Sequence, residues 1–228
     1  MNASVLQPLA KRSTEDRALD ALRAHILSGG TAAGARVTEH GLSGALAISR
    51  ATVRVALYRL ATEGLVVQLP YVGWQVIDLT ARDVWELYTL RAPLEALAAR
   101  LAAEELGDKG RYRLQGAYDN LAAACDGGSF PQIADCDFAL HQLVVDHAAH
   151  ARLQEQYRIV GQQVRLFVAS SNALAAAPGE IAAQHQPLVA ALLAGDGEGA
   201  ARLAEEHVLT EGRKLEAAAR AREAPDPD

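Results

Sequence analysis

The chain is short of cysteine, of aromatics and of long apolar runs, and each shortage excludes something. Two cysteines, Cys125 and Cys136, are too few for a disulfide framework, and neither sits in a CxxC or other metal-ligating spacing. They read as plain core thiols. No apolar run approaches the roughly 20 residues needed to cross a bilayer, so no membrane partner is expected. The opening residues, MNASVLQPLAKRSTEDR, lack the apolar centre of a secretory signal, and the expected location is the cytoplasm. HExxH is also missing, which leaves a metal-dependent hydrolase without its usual general base.

Charge is present but unevenly spread. The net charge of −6 conceals a segment 1–77 at +3 and a segment 78–228 at −9. A small basic module joined to a larger acidic one hints at nucleic-acid contact at one end.

Periodicity and punctuation divide the chain in the same place. STEDRALDALRAHILSGG carries Ser and Thr caps, runs at helical period through Leu19, Leu22 and Ile26, and stops at Gly29-Gly30. TEHGLSGALAI reads as a short helix capped by Thr38, and SRATVRVALYRLATEG as a third, capped by Ser49 and ended by Gly64. The runs LVVQL and GWQVIDL, separated by PYVG, suit a β-hairpin. Three helices and a hairpin outline a winged helix-turn-helix over 1–77. A short linker is expected at 78–82, a helical domain at 83–222 and a frayed tail at 223–228. In the helical part, TARDVWELYTLRAPLEALAARLAAEEL begins with a capping box, Thr80 to Asp83, and Pro93 is expected to kink it. Further helices are suggested at 109–125, 131–148, 151–171, 180–194 and 196–222. The predicted fold class is therefore predominantly all-α: a winged helix-turn-helix plus an antiparallel bundle of about six helices.

The second helix of a helix-turn-helix enters the major groove with its N-terminal residues toward the bases. Here that helix opens SRATVR. Ser49 can cap the helix and reach a phosphate, and Thr52 can do the same one turn on. Arg50 and Arg54 are four apart, so both guanidiniums project from one face near the helix start. An arginine bidentate to guanine is worth about 1–3 kcal/mol of discrimination. The same pair also suits an amphipathic helix with two solvated arginines.

In the second half, DCDFALHQLV has the grain of a buried helix yet places Asp137 and His141 one turn apart on one face. They either satisfy each other or hold something between them. The stretch IAAQHQPLVAALLAGDGEGAARLAEEHVL bears on the choice. Two helices meet at Gly195-Asp196 and must run antiparallel. His185 lies ten residues before Gly195 and His207 eleven after Asp196. At 1.5 Å per residue both stand roughly 15–16 Å from the turn, level with each other. Three neutral imidazoles and a carboxylate suit a first-row divalent metal, zinc first, with nickel or manganese behind it. His25, His40, His147 and His150 show no comparable geometry.

The stretch GARVTEHGLSGALAISRATVRVALYRLATEGLV resembles the N-terminal module of GntR-type bacterial transcription regulators, through its Ser-Arg-x-x-Val-Arg-x-Ala-Leu helix followed by Leu-x-x-x-Gly-Leu-Val. The resemblance implies that Arg50 and Arg54 touch DNA, that Ser49 and Thr52 support them, and that Arg36 contacts the backbone. Leu42-Ser43 replaces the usual Leu-Ala, His40 stands where a charged residue is common, and the wing tip LPYVGW has no Arg or Lys. The stretches LYTLRAPLEALAARLAA, DFALHQLV and QHQPLVAALLAGDGEGAARLAEEHV resemble the ligand-binding FCD bundle of the FadR-like branch, in its shorter VanR-like variety. That resemblance implies a divalent metal on Asp137, His141, His185 and His207, with a small carboxylate or sugar-acid effector beside it. Arginine suits a carboxylate, which singles out Arg91 and Arg165. Arg91 also suits a surface pair with Glu95, whereas apolar neighbours favour a partly buried head for Arg165. Gln162 and Asn172 are candidates for the same pocket. Together these features imply a regulator, not an enzyme: a homodimeric repressor on a pseudo-palindromic operator, controlled by its effector. A purely structural metal with a different effector is the alternative.

Overall fold

A computed structural model of the chain describes residues 13–27, 30–78, 80–172 and 174–223. The chain divides into two compact units, Met1–Ile77 and Asp78–Asp228.

In the first unit, apolar residues at helical spacing meet across two helices. Leu19, Leu22 and Ile26 of α1 (Thr14–Leu27) and Val53, Ala56, Leu57 and Leu60 of α3 (Arg50–Thr62) are buried. Between them lie β1 (Arg36–Val37) and α2 (Glu39–Leu46). Thr38 Oγ1 accepts from Gly41 N at 3.1 Å and so caps α2; Ser49 Oγ accepts from Thr52 N at 3.1 Å and caps α3. The two helices are joined through Ala47, whose φ of 52° closes α2. Strands β2 (Val66–Leu69) and β3 (Gly73–Val76) form the expected hairpin, which buries Trp74 and Val76. The sheet has a third strand that the sequence pattern did not show. β1 pairs antiparallel with β3, Arg36 opposite Gln75 and Val37 opposite Trp74, giving the order β1-β3-β2. Two residues are too few to display alternation.

The second unit contains six helices among the described residues: α4 (Ala81–Glu105), α5 (Asp108–Gly127), α6 (Phe130–His147), α7 (Ala151–Asn172), α8 (Pro178–Ala194) and α9 (Gly197–Glu223). The Thr80–Asp83 capping box starts α4 at Ala81, so Ala81 and Arg82 are helix and not linker. Of the expected linker, Leu79 lies outside the described residues, as do Gly29 and the tail beyond Glu223. Pro93 does not end α4; the carbonyl it leaves without a helical donor is that of Thr89, one turn earlier. Between α8 and α9, Gly195 adopts φ 75° and Asp196 Oδ1 accepts from Gly199 N at 2.9 Å, making the tight antiparallel hairpin. The core holds Leu114, Leu121, Ile133, Leu140, Tyr157 and Leu192, with alanines where helices approach closely: Ala98, Ala99, Ala102 and Ala103 on α4, Ala200, Ala201 and Ala204 on α9.

The α4 and α9 helices approach closely at Gly212, where a Cβ would stand 2.6 Å from Tyr88 Cβ. Alanine there meets a side-chain root that cannot swing away, so Gly212→Ala is expected to lower the melting temperature despite its better helix propensity. Gly116→Ala on α5, where nothing lies within 4 Å, is expected to stabilise by about 0.5–1 kcal/mol. Thermal melts of the two variants beside the parent make the comparison.

Candidate metal centre and nucleic-acid interface

Asp137 and His141 are both buried on α6, and the α8–α9 hairpin brings His185 and His207 against them. The ligating nitrogens of His141, His185 and His207 all lie within 4.8 Å of one another. His141 Nε2 and His185 Nε2 are 3.1 Å apart, and Asp137 Oδ1 is 3.3 Å from the first and 3.2 Å from the second. Each of these two imidazoles is turned by its other nitrogen. His141 Nδ1 donates to Glu95 Oε2 at 2.6 Å, and His185 Nδ1 donates to the Ile181 carbonyl at 2.7 Å. That leaves both Nε2 atoms facing the carboxylate and each other. Asp137 Oδ1 has no hydrogen bond of its own.

Three imidazoles and a carboxylate so placed are a donor set that could hold a divalent cation. Ligand bonds of about 2.0–2.1 Å set tetrahedral ligand atoms about 3.3 Å apart, which the 3.1, 3.3 and 3.2 Å separations among Asp137 Oδ1, His141 Nε2 and His185 Nε2 match, while His207 joins them in a looser group within 4.8 Å. Burial opposes charge on His141, but Glu95 outweighs it and pushes the imidazole up to about 9. Burial would raise Asp137, yet His185 and His141 hold it well below the usual carboxylate range. His207 is pushed well down by burial and by its imidazole neighbours, which keeps it neutral and its lone pair available.

Behind the four residues stands a buried second layer. Glu95 Oε1 accepts from Arg91 Nε at 2.5 Å and from the Tyr157 hydroxyl at 2.7 Å. Burial alone would raise Glu95, but Arg91 and His141 hold it far below the usual range. Arg91 Nη2, Asn172 Nδ2 and the Tyr88 hydroxyl are buried without a partner, and all three residues line the cavity that Asp137, His141, His185 and His207 also line. The cavity is thus lined by donors that have no acceptor as well as by the Asp and His side chains.

In the first unit, Arg50 and Arg54 are exposed at the start of α3. Ser49 Oγ and Thr52 Oγ1 lie 2.9 Å apart beside them, and Arg36 is exposed on β1. Arg59, nearer the other end of the helix, pairs with Asp16 at 2.6 Å. The wing tip presents the uncharged Tyr71 and Val72, both exposed.

Comparison with known proteins agrees with both halves. Residues 14–76 match the family described as bacterial regulatory proteins, gntR family, and residues 86–210 match the FCD domain. The chain is a GntR-family transcription regulator with an FCD domain. It is 30% identical over 203 residues to a probable D-xylose utilization operon transcriptional repressor of Paenarthrobacter nicotinovorans, covering 89% of this chain and 86% of that one. A solved structure of a putative transcriptional regulator GntR from Rhodococcus sp. RHA1 is 26% identical, with a TM-score of 0.77 over 90% of this chain and 98% of the other. The fold is shared with E. coli McbR/YncC at 23% identity, TM-score 0.77, over 91% and 99% of the two chains. The family is one of DNA-binding regulators, and no described helix is long and apolar enough to cross a membrane.

Within this GntR-family chain, the effector residues read from sequence separate. Arg91 and Asn172 line the cavity. Arg165 does not: its head is 42% exposed, bonds Asp135 at 3.0 Å and lies over the Phe138 ring, because its side of α7 faces solvent despite apolar neighbours in sequence. Gln162 lines a different groove, between α6 and α7, with Phe138 and Arg158. The Arg91–Glu95 pair is buried, not a surface pair, at 2% and 3% exposure. Glu95 and Tyr157 were missed as site residues, although Glu95 lies in the same apolar stretch, LEALAARLAA, whose alanines pack into the core. His147 bonds the Leu143 carbonyl, and His150 accepts from Leu153 N, away from the cluster.

Glu95→Ala leaves the Arg91 guanidinium buried and unpaired, which is expected to cost about 3–5 kcal/mol. Urea denaturation followed by circular dichroism measures it; a loss under 1 kcal/mol means the pair is solvated after all.

Proposed function

We propose that this regulator is a repressor whose grip on its operator is set by a small carboxylate or sugar acid seated beside a divalent metal ion in the FCD unit. The observation that carries this reading is the buried cavity in which an Asp and three His converge while Arg91, Asn172 and Tyr88 present unused donors. Asp137, His141, His185 and His207 would hold the ion, zinc before nickel or manganese. When bound, the ion supplies a Lewis acid for a ligand oxygen. Arg91 supplies charge and a free Nη2 donor, and Asn172 a further donor, so an anion with two oxygens is matched at more than one point. The relative named for a D-xylose utilization operon is in keeping with a sugar-derived effector.

The reading unit would act as one of two in a homodimer, since one recognition helix reads one half-site and a two-fold axis supplies the second. Arg50 and Arg54 would contact base edges, with Ser49, Thr52 and Arg36 on the backbone. An effector that favours one arrangement of the bundle shifts operator affinity only as far as it binds that arrangement better.

One observation favours a second reading, in which the ion is purely structural. The free space in the cavity is about 10 Å³, room for one water at most. On this reading the effector binds elsewhere; on the first, the cavity opens to admit it.

His207→Ala leaves three ligands and is expected to lower both metal content and melting temperature, because what binds only the folded state stabilises it. His147→Ala is expected to change neither. Mass spectrometry for metal and melts with and without chelator read the result, and an unchanged melt in chelator leaves Asp137 and His141 an ordinary buried pair. If a carboxylate raises the melting temperature only in the metal-loaded protein, the effector reading stands; if chelation leaves that rise intact, the ion is structural. Arg50→Ala is expected to weaken operator binding by about 1–3 kcal/mol with the fold intact, as measured by fluorescence anisotropy.

A further inference from the structure

The two arginines at the start of the reading helix, Arg50 and Arg54, are already held, and by the helix in front of it. Glu39, the first residue of α2, accepts from Arg54 Nε at 2.8 Å through Oε1 and from Arg54 Nη2 at 2.7 Å through Oε2. The buried Trp74 of β3 donates its Nε1 to the same Oε1 at 3.4 Å, and Tyr58 of α3 meets the Trp74 ring edge-on at 5.0 Å. The carboxylate is therefore fixed from the wing side as well as from α3. One residue on, His40 Nδ1 lies 2.9 Å from Arg50 Nη2, and since a guanidinium can only donate, the imidazole accepts there.

We infer that Glu39 and His40 are positioning residues for operator reading, which hold the Arg54 and Arg50 guanidiniums in the orientation that meets guanine. The inference rests on the proposed contact of those two arginines with DNA. A guanidinium has five N–H donors in a rigid fork. Glu39 engages the Nε–Nη2 edge of Arg54 and leaves Nη1, with the second hydrogen of Nη2, pointing away from it. That is the end an arginine uses for O6 and N7 of guanine. The carboxylate thus orients the fork without occupying its reading end. A free arginine must lose rotamer freedom on reaching a base, whereas a held one has lost it in folding, so less is forfeited on binding. Specificity gains as well, because a fork fixed in direction meets other base edges badly.

Electrostatics makes the inference testable through a sign. An acid on a DNA-facing surface repels phosphates, so neutralising it strengthens binding to any duplex. A positioning acid behaves otherwise: its loss weakens the operator complex alone.

The test uses the full chain with an operator duplex selected from a random library and a scrambled duplex of equal length. Glu39→Gln is expected to weaken operator binding about tenfold while scrambled DNA binds as before or tighter. Glu39→Gln combined with Arg54→Ala should bind the operator no worse than Arg54→Ala alone. His40→Ala should weaken the operator complex, and His40→Gln, whose amide oxygen can accept from Arg50, should restore much of it. Glu39→Asp, which keeps the charge on a shorter arm, serves if the Gln variant melts early. Tighter binding of Glu39→Gln to both duplexes makes Glu39 a plain repelling charge and overturns the inference while leaving the arginine contacts standing. Operator binding unchanged by Arg54→Ala instead overturns the docking itself, and the inference with it.

Discussion

The Glu95 carboxylate is buried among three groups that each depend on it. Arg91 needs a counter-charge to be out of water at all, the Tyr157 hydroxyl needs an acceptor, and His141 needs a partner for Nδ1 so that Nε2 faces Asp137 and His185. A buried charge is tolerable only when paired and hydrogen-bonded. Here one carboxylate, on α4, binds groups from α4, α6 and α7 at once. The orientation of the ligand cluster, the depth of Arg91 and the shape of the cavity all follow from that junction. His185 is oriented separately, by the carbonyl of Ile181 one turn before it.

Positive and negative charge are kept in balance with little surplus. The interior of the FCD unit contains Arg91, Glu95, Asp137 and a cluster of three imidazoles, one of which, His141, has its proton affinity raised by Glu95. Metal and proton compete for the same lone pairs, so a ligand set of this kind binds metal more weakly as pH falls. The unpartnered donors of Arg91, Asn172 and Tyr88 line the same cavity and, on the proposed reading, would suit an anion. The reading unit follows the same logic at its surface, where the acid Glu39 organises an arginine instead of neutralising it outright.

Much of the architecture was legible in the sequence. Caps at Thr38, Ser49 and Thr80, the Gly195-Asp196 turn and the helical spacing of apolar residues are local signals, and they placed the helices to within a few residues. The level placing of His185 and His207 followed from helical rise along two antiparallel helices, which needs no knowledge of a third element. The strand β1 was not legible, because two residues carry no period and it exists only by pairing with β3.

What tertiary structure alone decided is which polar side chains go inside. Arg91 and Arg165 both sit among apolar neighbours in sequence, yet one is buried against Glu95 and the other lies in solvent with Asp135. Gln162 and Asn172 share a helix and open onto different cavities. The depth of a long polar side chain is set by the helices packed over it, and neither their identity nor their rotation is written in the local chain. For the same reason the sequence determined that Asp137 and His141 share a helix face, and only packing decided that Glu95, His185 and His207 would meet them there.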